Sequence, residues 1–341
     1  MNQEDDNHWM QLAIREGECG IGLTSPNPPV GAVIIKEGKL IGKGWHTGAG
    51  KPHAEREAIA DALEQGHNLE NSCIYITLEP CSSHGRTPPC TEGILEAGIK
   101  RVVYGADDPN PSHQGRAHEI LSSAGVEVVT NVLKKECEHL NRAFFKVQQT
   151  GMPWVLIKSA MSLDGRITRP PGEGQWLTSP ESREVVQQLR FESDAIITGG
   201  NTLRIDDPAL TIRSESLPQK EQPWRMVITK GFHKNLPTTA KVFTDRYADR
   251  TLVQENGDLT AALKDLAQRG CNQVLVEAGG KLLGAFMDSG LVDEVAIFYA
   301  PLITGGPNSG FSGQEQDVKL TNPMFSRIGD DVLLRAMVEP H

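Results

Sequence analysis

No run of apolar residues in this sequence approaches the length of a bilayer span, and none follows the acidic start Met1-Asn2-Gln3-Glu4-Asp5-Asp6. Neither a membrane helix nor a secretory leader is expected. No block of lysine and arginine occurs, and the net charge is −10. A nucleic-acid binder normally carries a basic patch or stripe, so that class is disfavoured, and anionic small molecules must be met by local arginines or helix N-termini. Internal repeats and low-complexity tracts are missing too. Cysteine pairs at C-x-x-C spacing are absent. Two of the six cysteines, Cys81 and Cys90, fall in a metal motif; Cys19, Cys73, Cys137 and Cys271 read as buried free thiols of a reducing cytoplasm. What remains is a chain of 341 residues, 38% apolar and 23% charged, which suits a soluble enzyme of two ordinary domains.

The chemistry concentrates between His53 and Cys90. Pro52-His53-Ala54-Glu55 is followed by Glu79-Pro80-Cys81 and a loop ending in Cys90. One imidazole and two thiolates can hold zinc, and three protein ligands leave a fourth tetrahedral position to water, the catalytic arrangement. Zinc acidifies such a water. Glu55, two residues past His53, is placed to move protons rather than to bind metal. H-x-E with P-C is the signature of zinc deaminases, although their second cysteine stands at C-x-x-C and here it stands at C-x8-C. The longer loop, with His84 and Arg86, is an excursion able to contact substrate. A structural zinc site, with His84 as fourth ligand, is the competing reading.

Periodicity predicts alternating strands and helices. A helix covers His8 to about Gly17, and Val30–Ile35 and Leu40–His46 form a hairpin. A helix starts at His53, a strand covers Ser72–Leu78, and a helix runs from Cys90 to Ala97. A thiolate at a helix N-terminus is favoured by the unpaired N–H groups there. Prolines on both sides of Asn27 predict a rigid loop, either a platform for a heterocycle or a plain turn. Arg101–Ala106 and Val126–Val129 are further strands, and Leu133–Phe145 a closing helix. Thr150-Gly151-Met152-Pro153 is the expected linker, giving domains 1–149 and 150–341. The second begins with a strand at Trp154–Met161 and a turn, Ser162–Thr168, leading into another strand. Ser179-Pro180 is an N-cap with proline at N1. Ala195–Gly200, Arg225–Thr229, Thr251–Val253, Gln273–Glu277, Val292–Pro301 and Val332–Arg335 read as strands. Ala278-Gly279-Gly280 then enters a helix. It is not G-x-G-x-x-G, but N–H groups freed by glycine at a helix start suit a pyrophosphate.

Taken in order, these motifs resemble the bifunctional deaminase–reductases of bacterial riboflavin biosynthesis. The resemblance rests on Pro26-Asn27-Pro28-x-Val30-Gly31, Pro52-His53-Ala54-Glu55, Thr77-Leu78-Glu79-Pro80-Cys81, Gly85-Arg86-Thr87-Pro88-Pro89-Cys90 and Asp108-Pro109-Asn110-Pro111. In the second half it rests on Ser162-Leu163-Asp164-Gly165-Arg166, Trp176-x-Thr178-Ser179, Asp206-Asp207-Pro208-x-Leu210-Thr211-x-Arg213 and Val276-Glu277-Ala278-Gly279. It implies an α/β chain: a cytidine-deaminase-like three-layer domain, then a dihydrofolate-reductase-like domain. The first would hydrolyse the exocyclic amine of a phosphorylated ribosylaminopyrimidinone; the second would reduce its ribosyl group to ribityl with NADPH. Zinc would sit on His53, Cys81 and Cys90 with Glu55 as proton carrier, and Asn27, His46 and Arg86 would line that pocket. Ala160, Trp176, Thr202, Asp206 and the run Gly279, Gly280, Lys281, Leu282, Leu283, Gly284 and Ala285 would meet the dinucleotide. Lys158, Gly174, Arg190, Leu210, Arg213 and Glu277 would meet the reductase substrate, with Arg190 and Arg213 supplying charge for its phosphate. A cytoplasmic homo-oligomer is expected, with no nucleic-acid or membrane partner.

Two positions depart from the family pattern: Ser83 stands where histidine is common, and Thr229-Lys230 where Asp-Ser is common. A nucleic-acid deaminase and a non-catalytic zinc-stabilised assembly protein are the rival readings. The acidic composition opposes the first.

Overall fold

A computed structural model describes residues 3–83, 88–110, 114–170, 172, 176–231 and 236–339. Arg86, His84 and Gly174, named above, lie outside the described residues. The chain divides into two compact units, Met1–Gly151 and Met152–His341.

The first unit contains α1 (Gln3–Glu18), β1 (Gly31–Lys36), β2 (Lys39–Trp45), α2 (Ala54–Glu64), β3 (Cys73–Leu78), α3 (Cys90–Glu96), β4 (Arg101–Ala106), α4 (Arg116–Ser123), β5 (Glu127–Val129), α5 (Lys134–Leu140) and α6 (Arg142–Thr150). Its sheet has the order β2-β1-β3-β4-β5. β1 is antiparallel to both neighbours, and β3, β4 and β5 run parallel. Side chains alternate across a strand, so β1 sends Ala32 and Ile34 to one core with Ala58, Ile94 and Leu121, and Val33 and Ile35 to the other with Met10, Tyr75 and Cys137. Helices on both faces make three layers.

Two glycine sites set the distance between layers. A Cβ on Gly31 would collide with the Ala13 carbonyl and the Gly17 amide of α1. A Cβ on Gly42 or Gly44 would lie 2.5 Å from the Ala58 carbonyl oxygen or amide nitrogen, so α2 rests directly on β2. The closing helix expected at Leu133–Phe145 is two helices meeting at Asn141. Cys73, Cys137 and Cys271 are buried thiols, but Cys19 is exposed.

The second unit contains β6 (Trp154–Ser162), α7 (Pro180–Glu192), β7 (Ala195–Gly199), α8 (Gly200–Asp206), β8 (Trp224–Ile228), α9 (Lys241–Thr244), β9 (Thr251–Gln254), α10 (Leu259–Gln268), β10 (Gln273–Glu277), α11 (Gly280–Asp288), β11 (Glu294–Ala300), β12 (Leu320–Ile328) and β13 (Asp331–Val338). The sheet runs β12-β13-β11-β6-β10-β7-β8-β9. From β11 to β9 all neighbours are parallel, and β13 and β12 are antiparallel additions. Ser179 caps α7 as expected, its Oγ accepting from the Ser182 N–H. Of the strand expected with the Ser162–Thr168 turn there is only an isolated bridge, Arg166 to Ser309. Among the described residues no helix is long and apolar enough to cross a membrane.

Candidate active sites

In the first unit His53 is the N-cap of α2, which puts Glu55 in that helix's first turn. Cys81 follows the buried strand β3, and Cys90 opens α3 behind Pro89. Nδ1 of His53 lies 3.5 Å from Sγ of Cys81 and 3.3 Å from Sγ of Cys90. All three ligand atoms fall within 4.8 Å of one another. Bonds of about 2.1 Å to nitrogen and about 2.3 Å to sulfur make a tetrahedral zinc's ligands about 3.5 Å apart, so these separations fit the edges of one tetrahedron. The donor set, one imidazole and two thiols, suits the same ion. The Cys90 amide donates to the Cys81 sulfur (3.2 Å), so the start of α3 stabilises that thiolate. Two adjacent thiols resist ionising together. Cys81 is lowered to about 4, first by the Cys90 thiol, while that same contact and burial push Cys90 well up. A divalent cation between them removes the conflict.

Glu55 is buried beside this group, and desolvation, followed by the Cys81 charge, raises its pKa. His46 leaves β2 and is also buried. Its Nδ1–H donates to the Pro52 carbonyl (2.9 Å), and its Nε2 accepts from the Asn27 amide nitrogen (3.0 Å). Burial lowers its pKa, which keeps the ring neutral and this tautomer in place. The His46 and His53 rings meet edge-on at 5.2 Å. Asn27, His46, His53, Glu55, Cys81 and Cys90 therefore form one neighbourhood.

Two residues there escaped the sequence reading. Arg56 donates to the Pro89 carbonyl (3.1 Å), one residue before Cys90, and lies against Gly93, where a Cβ would strike the guanidinium. Glu79 accepts backbone N–H groups from Asp108, Gly115 and Ala117 at 3.3, 3.0 and 3.1 Å, tying the loop after β4 to the strand end before Cys81. Glu79 was visible only as part of a motif, and Arg56 as a helix-surface charge.

In the second unit Glu277 ends β10 and is paired in register with Lys158 of β6. Lys158 Nζ lies 3.9 Å from Glu277 Oε2. Arg190, on α7, donates from Nε and Nη2 to the two Glu277 oxygens (2.6 and 3.0 Å) and from Nη1 to the Thr211 carbonyl (3.0 Å). Burial alone would push the Glu277 carboxyl up, but Arg190, Lys158 and Arg213 together hold it below its usual range. Burial lowers Lys158 against the pull of Glu277. Three guanidinium nitrogens of Arg190 thus donate within the protein, which fixes its side chain beside Glu277. Arg213 is the exposed cation of this group.

Parallel strands bring Ala160, the start of α8 and the start of α11 to their carboxyl ends, where open α/β sheets bind ligands. Ala160 lies near the end of β6, and Thr202 on α8 accepts the Gly279 N–H (3.1 Å). Two glycines of α11 also have a packing role. A Cβ on Gly280 would strike the Ser309 carbonyl, and one on Gly284 would lie 2.6 Å from that of Ser312, so these two are demanded by packing. Leu283 buries its side chain in the core. Lys281 and Ala285 line an open cavity of about 630 Å³ with Lys230 and Asp288. Trp176 is exposed, with the Arg183 guanidinium 5.4 Å from its ring centre. Asp206 ends α8 and is exposed; Leu210 is buried.

Fold and site together define a zinc-binding deaminase unit joined to a reductase unit. Residues 3–106 match the cytidine and deoxycytidylate deaminase zinc-binding region, and residues 153–334 match the RibD C-terminal domain. The chain is 38% identical to the riboflavin biosynthesis protein RibD of Escherichia coli, over 96% of this chain and 98% of that one. It is 36% identical to that of Aquifex aeolicus, over 98% and 99%. The solved structure of Acinetobacter baumannii RibD superposes with a TM-score of 0.89 at 36% identity, covering 99% of this chain and 100% of that one. A Thermotoga maritima diaminohydroxyphosphoribosylaminopyrimidine deaminase/5-amino-6-(5-phosphoribosylamino)uracil reductase superposes at 0.88 with 33% identity, covering 99% of each. This chain belongs to the RibD family, the bifunctional deaminase–reductases of riboflavin biosynthesis.

Proposed function

We propose that residues 1–149 deaminate 2,5-diamino-6-ribosylamino-4(3H)-pyrimidinone 5′-phosphate, and that residues 150–341 reduce the product's ribosyl side chain to ribityl with NADPH. The observation that carries the first step is the His53, Cys81 and Cys90 cluster with buried Glu55 beside it. These three residues would hold zinc, which when bound lowers the pKa of a water toward neutrality. Glu55 holds the proton that the ring nitrogen and then the departing ammonia require. Asn27, turned by His46, presents an amide to the heterocycle, and the resemblance adds Arg86 as a further substrate contact.

In the second unit NADPH supplies the hydride, and the protein orients it. Ala160, Trp176, Thr202, Asp206 and the backbone of Gly279–Ala285 would meet that dinucleotide. Lys158 and Glu277 face the ribosyl group as a buried proton-bearing pair held by Arg190. Arg213 meets the phosphate, Leu210 is a further substrate contact, and the resemblance adds Gly174. The protein works in the cytoplasm as a homo-oligomer. A coupled assay tests the reading: ammonia release from the diaminopyrimidinone phosphate, then substrate-dependent NADPH oxidation, with zinc content measured on the same sample. A protein holding one zinc that releases no ammonia would sink it.

A further inference from the structure

The segment from Pro208 to Arg213 has an unusual way of satisfying its backbone. It belongs to no helix or strand, and among the described residues no backbone–backbone hydrogen bond reaches it. Side chains supply the partners instead. Arg225 donates to the Ala209 carbonyl (3.0 Å) and Arg190 to that of Thr211 (3.0 Å). Gln222 takes both polar groups of one residue: its Oε1 accepts the Ile212 N–H (2.7 Å), and its Nε2 donates to the Ile212 carbonyl (3.1 Å). Gln187 of α7 accepts the Arg213 N–H (2.8 Å). The run also starts under constraint. Asp207 and Leu210 hold φ of 41° and 51°, the left-handed region, which non-glycine residues keep only where the surroundings over-determine them.

An amide side chain carries a donor group, its NH2, beside an acceptor group, its carbonyl oxygen. Gln222 uses the pair as a neighbouring strand residue would, giving Ile212 a single rung of ladder where no strand lies. Ile212 and Arg213 are thereby pinned from two directions, by the chain just before β8 and by α7. Arg213 extends from this fixed backbone, and its charge acts on Glu277. A long cation binds an anion more tightly when its base is already ordered, because less freedom is lost on binding.

We propose that Gln222, seconded by Gln187, is a positioning residue of the reductase substrate site, acting through the backbone of Ile212 and Arg213 to aim the Arg213 guanidinium at the substrate phosphate. This rests on the reading of Arg213 as a phosphate contact. Among the described residues both hydrogen bonds of the Gln222 amide end on Ile212, so its action runs through that backbone. The Gln222 amide works as a pair, so a carboxylate is no substitute. It would keep the acceptor for the Ile212 N–H and face the Ile212 carbonyl with a second acceptor.

The test uses the full chain with zinc bound. Steady-state reduction of 5-amino-6-(5-phosphoribosylamino)uracil is measured for wild type, Gln222→Met, Arg213→Ala and the double variant, with deamination on the same samples. Losing the hydrogen bonds that fix the segment should raise KM for this substrate about tenfold, leaving kcat, KM for NADPH and deamination within about twofold. Gln187→Met should act in the same direction and less. In the Arg213→Ala background, Gln222→Met should change nothing further, because its effect passes through that side chain. An undiminished effect in that background, or equal loss in KM for NADPH, would overturn the proposal and leave Gln222 a general packing residue. A raised KM in Arg213→Ala with a silent Gln222→Met would overturn the proposal alone. An unchanged KM in Arg213→Ala would remove the phosphate reading and the proposal with it. Should Gln222→Met fail to fold, Gln222→Glu replaces it in every comparison, with the same outcomes.

Discussion

His46 decides which way the Asn27 amide faces. The His46 Nδ1–H is committed to the Pro52 carbonyl at 2.9 Å, so Nε2 is an acceptor, and the group 3.0 Å away on Asn27 must be its NH2. The Pro52 carbonyl is one residue before His53. One imidazole thus links the orientation of a pocket amide to the peptide that introduces the metal motif.

Asn27→Asp sets an acceptor against an acceptor in a part-buried place. An unmade buried hydrogen bond costs about 1–3 kcal/mol. Deaminase kcat/KM should fall about fivefold or more, with reductase rates on supplied deaminated substrate unchanged. Separate assays of the two steps on one preparation check this, and loss of both together would show that the damage is not local.

Glu55→Gln keeps the shape of the side chain and removes its capacity to carry a proton. General acid–base groups contribute about 10²–10⁴-fold. Ammonia release should fall by that amount while one zinc per chain is retained and hydride transfer continues. Zinc lost in parallel with activity would instead make Glu55 a support for the metal cluster.

Arg190→Met leaves Glu277 with Lys158, at 3.9 Å, and the exposed Arg213 to balance it. Breaking a buried ion pair from one side costs about 3–5 kcal/mol. Because Lys158 remains, the lower end of that range is expected in urea unfolding of the second unit. Arg190→Lys should rescue little, since a lysine cannot span both Glu277 oxygens and the Thr211 carbonyl. Full rescue by lysine would mean that charge alone matters there.

Asp6 predicts an acid dependence. Burial alone would raise its carboxyl, but the hydrogen bonds from Arg101 (2.8 and 2.9 Å) and Tyr75 (2.7 Å) outweigh this and lower it below the ordinary 3.8. A depressed folded pKa gives stability that is complete above the unfolded value and lost as pH falls through the folded one. The stability gap between wild type and Asp6→Asn should therefore be constant from neutrality down to about pH 5, and shrink only below pH 3.8. Chemical unfolding of both proteins across that range measures it; a gap that closes at pH 6 would assign the effect to another group.

What the sequence disclosed depended on how far apart the partners lie along it. His53, Glu55 and Cys81 could be read from short motifs because helix starts and strand ends deliver them. The β1 alternation was likewise local. Arg56 reaching Pro89, Glu79 gathering the amides of Asp108, Gly115 and Ala117, and Gln222 reading Ile212 are contacts between segments. No periodicity announces them. β12 and α10 also went unread. Most of β12 is exposed, with Met324 and Phe325 facing solvent beside Pro323, so it lacks the apolar alternation of a half-buried strand. The α11 glycines carry a second requirement the motif did not show: neighbouring backbone leaves no room for a Cβ at Gly280 or Gly284.

The bare contact of Gly42 and Gly44 with the backbone of Ala58 makes the hairpin a fixed stop for the helix that carries Glu55. Neither glycine belongs to any ligand shell. In a saturation library both positions should nevertheless score like catalytic ones for ammonia release, tolerating nothing larger than hydrogen. Inheritance at these two sites is then governed by clearance, and comparison of surviving variants would reveal it without a single kinetic constant.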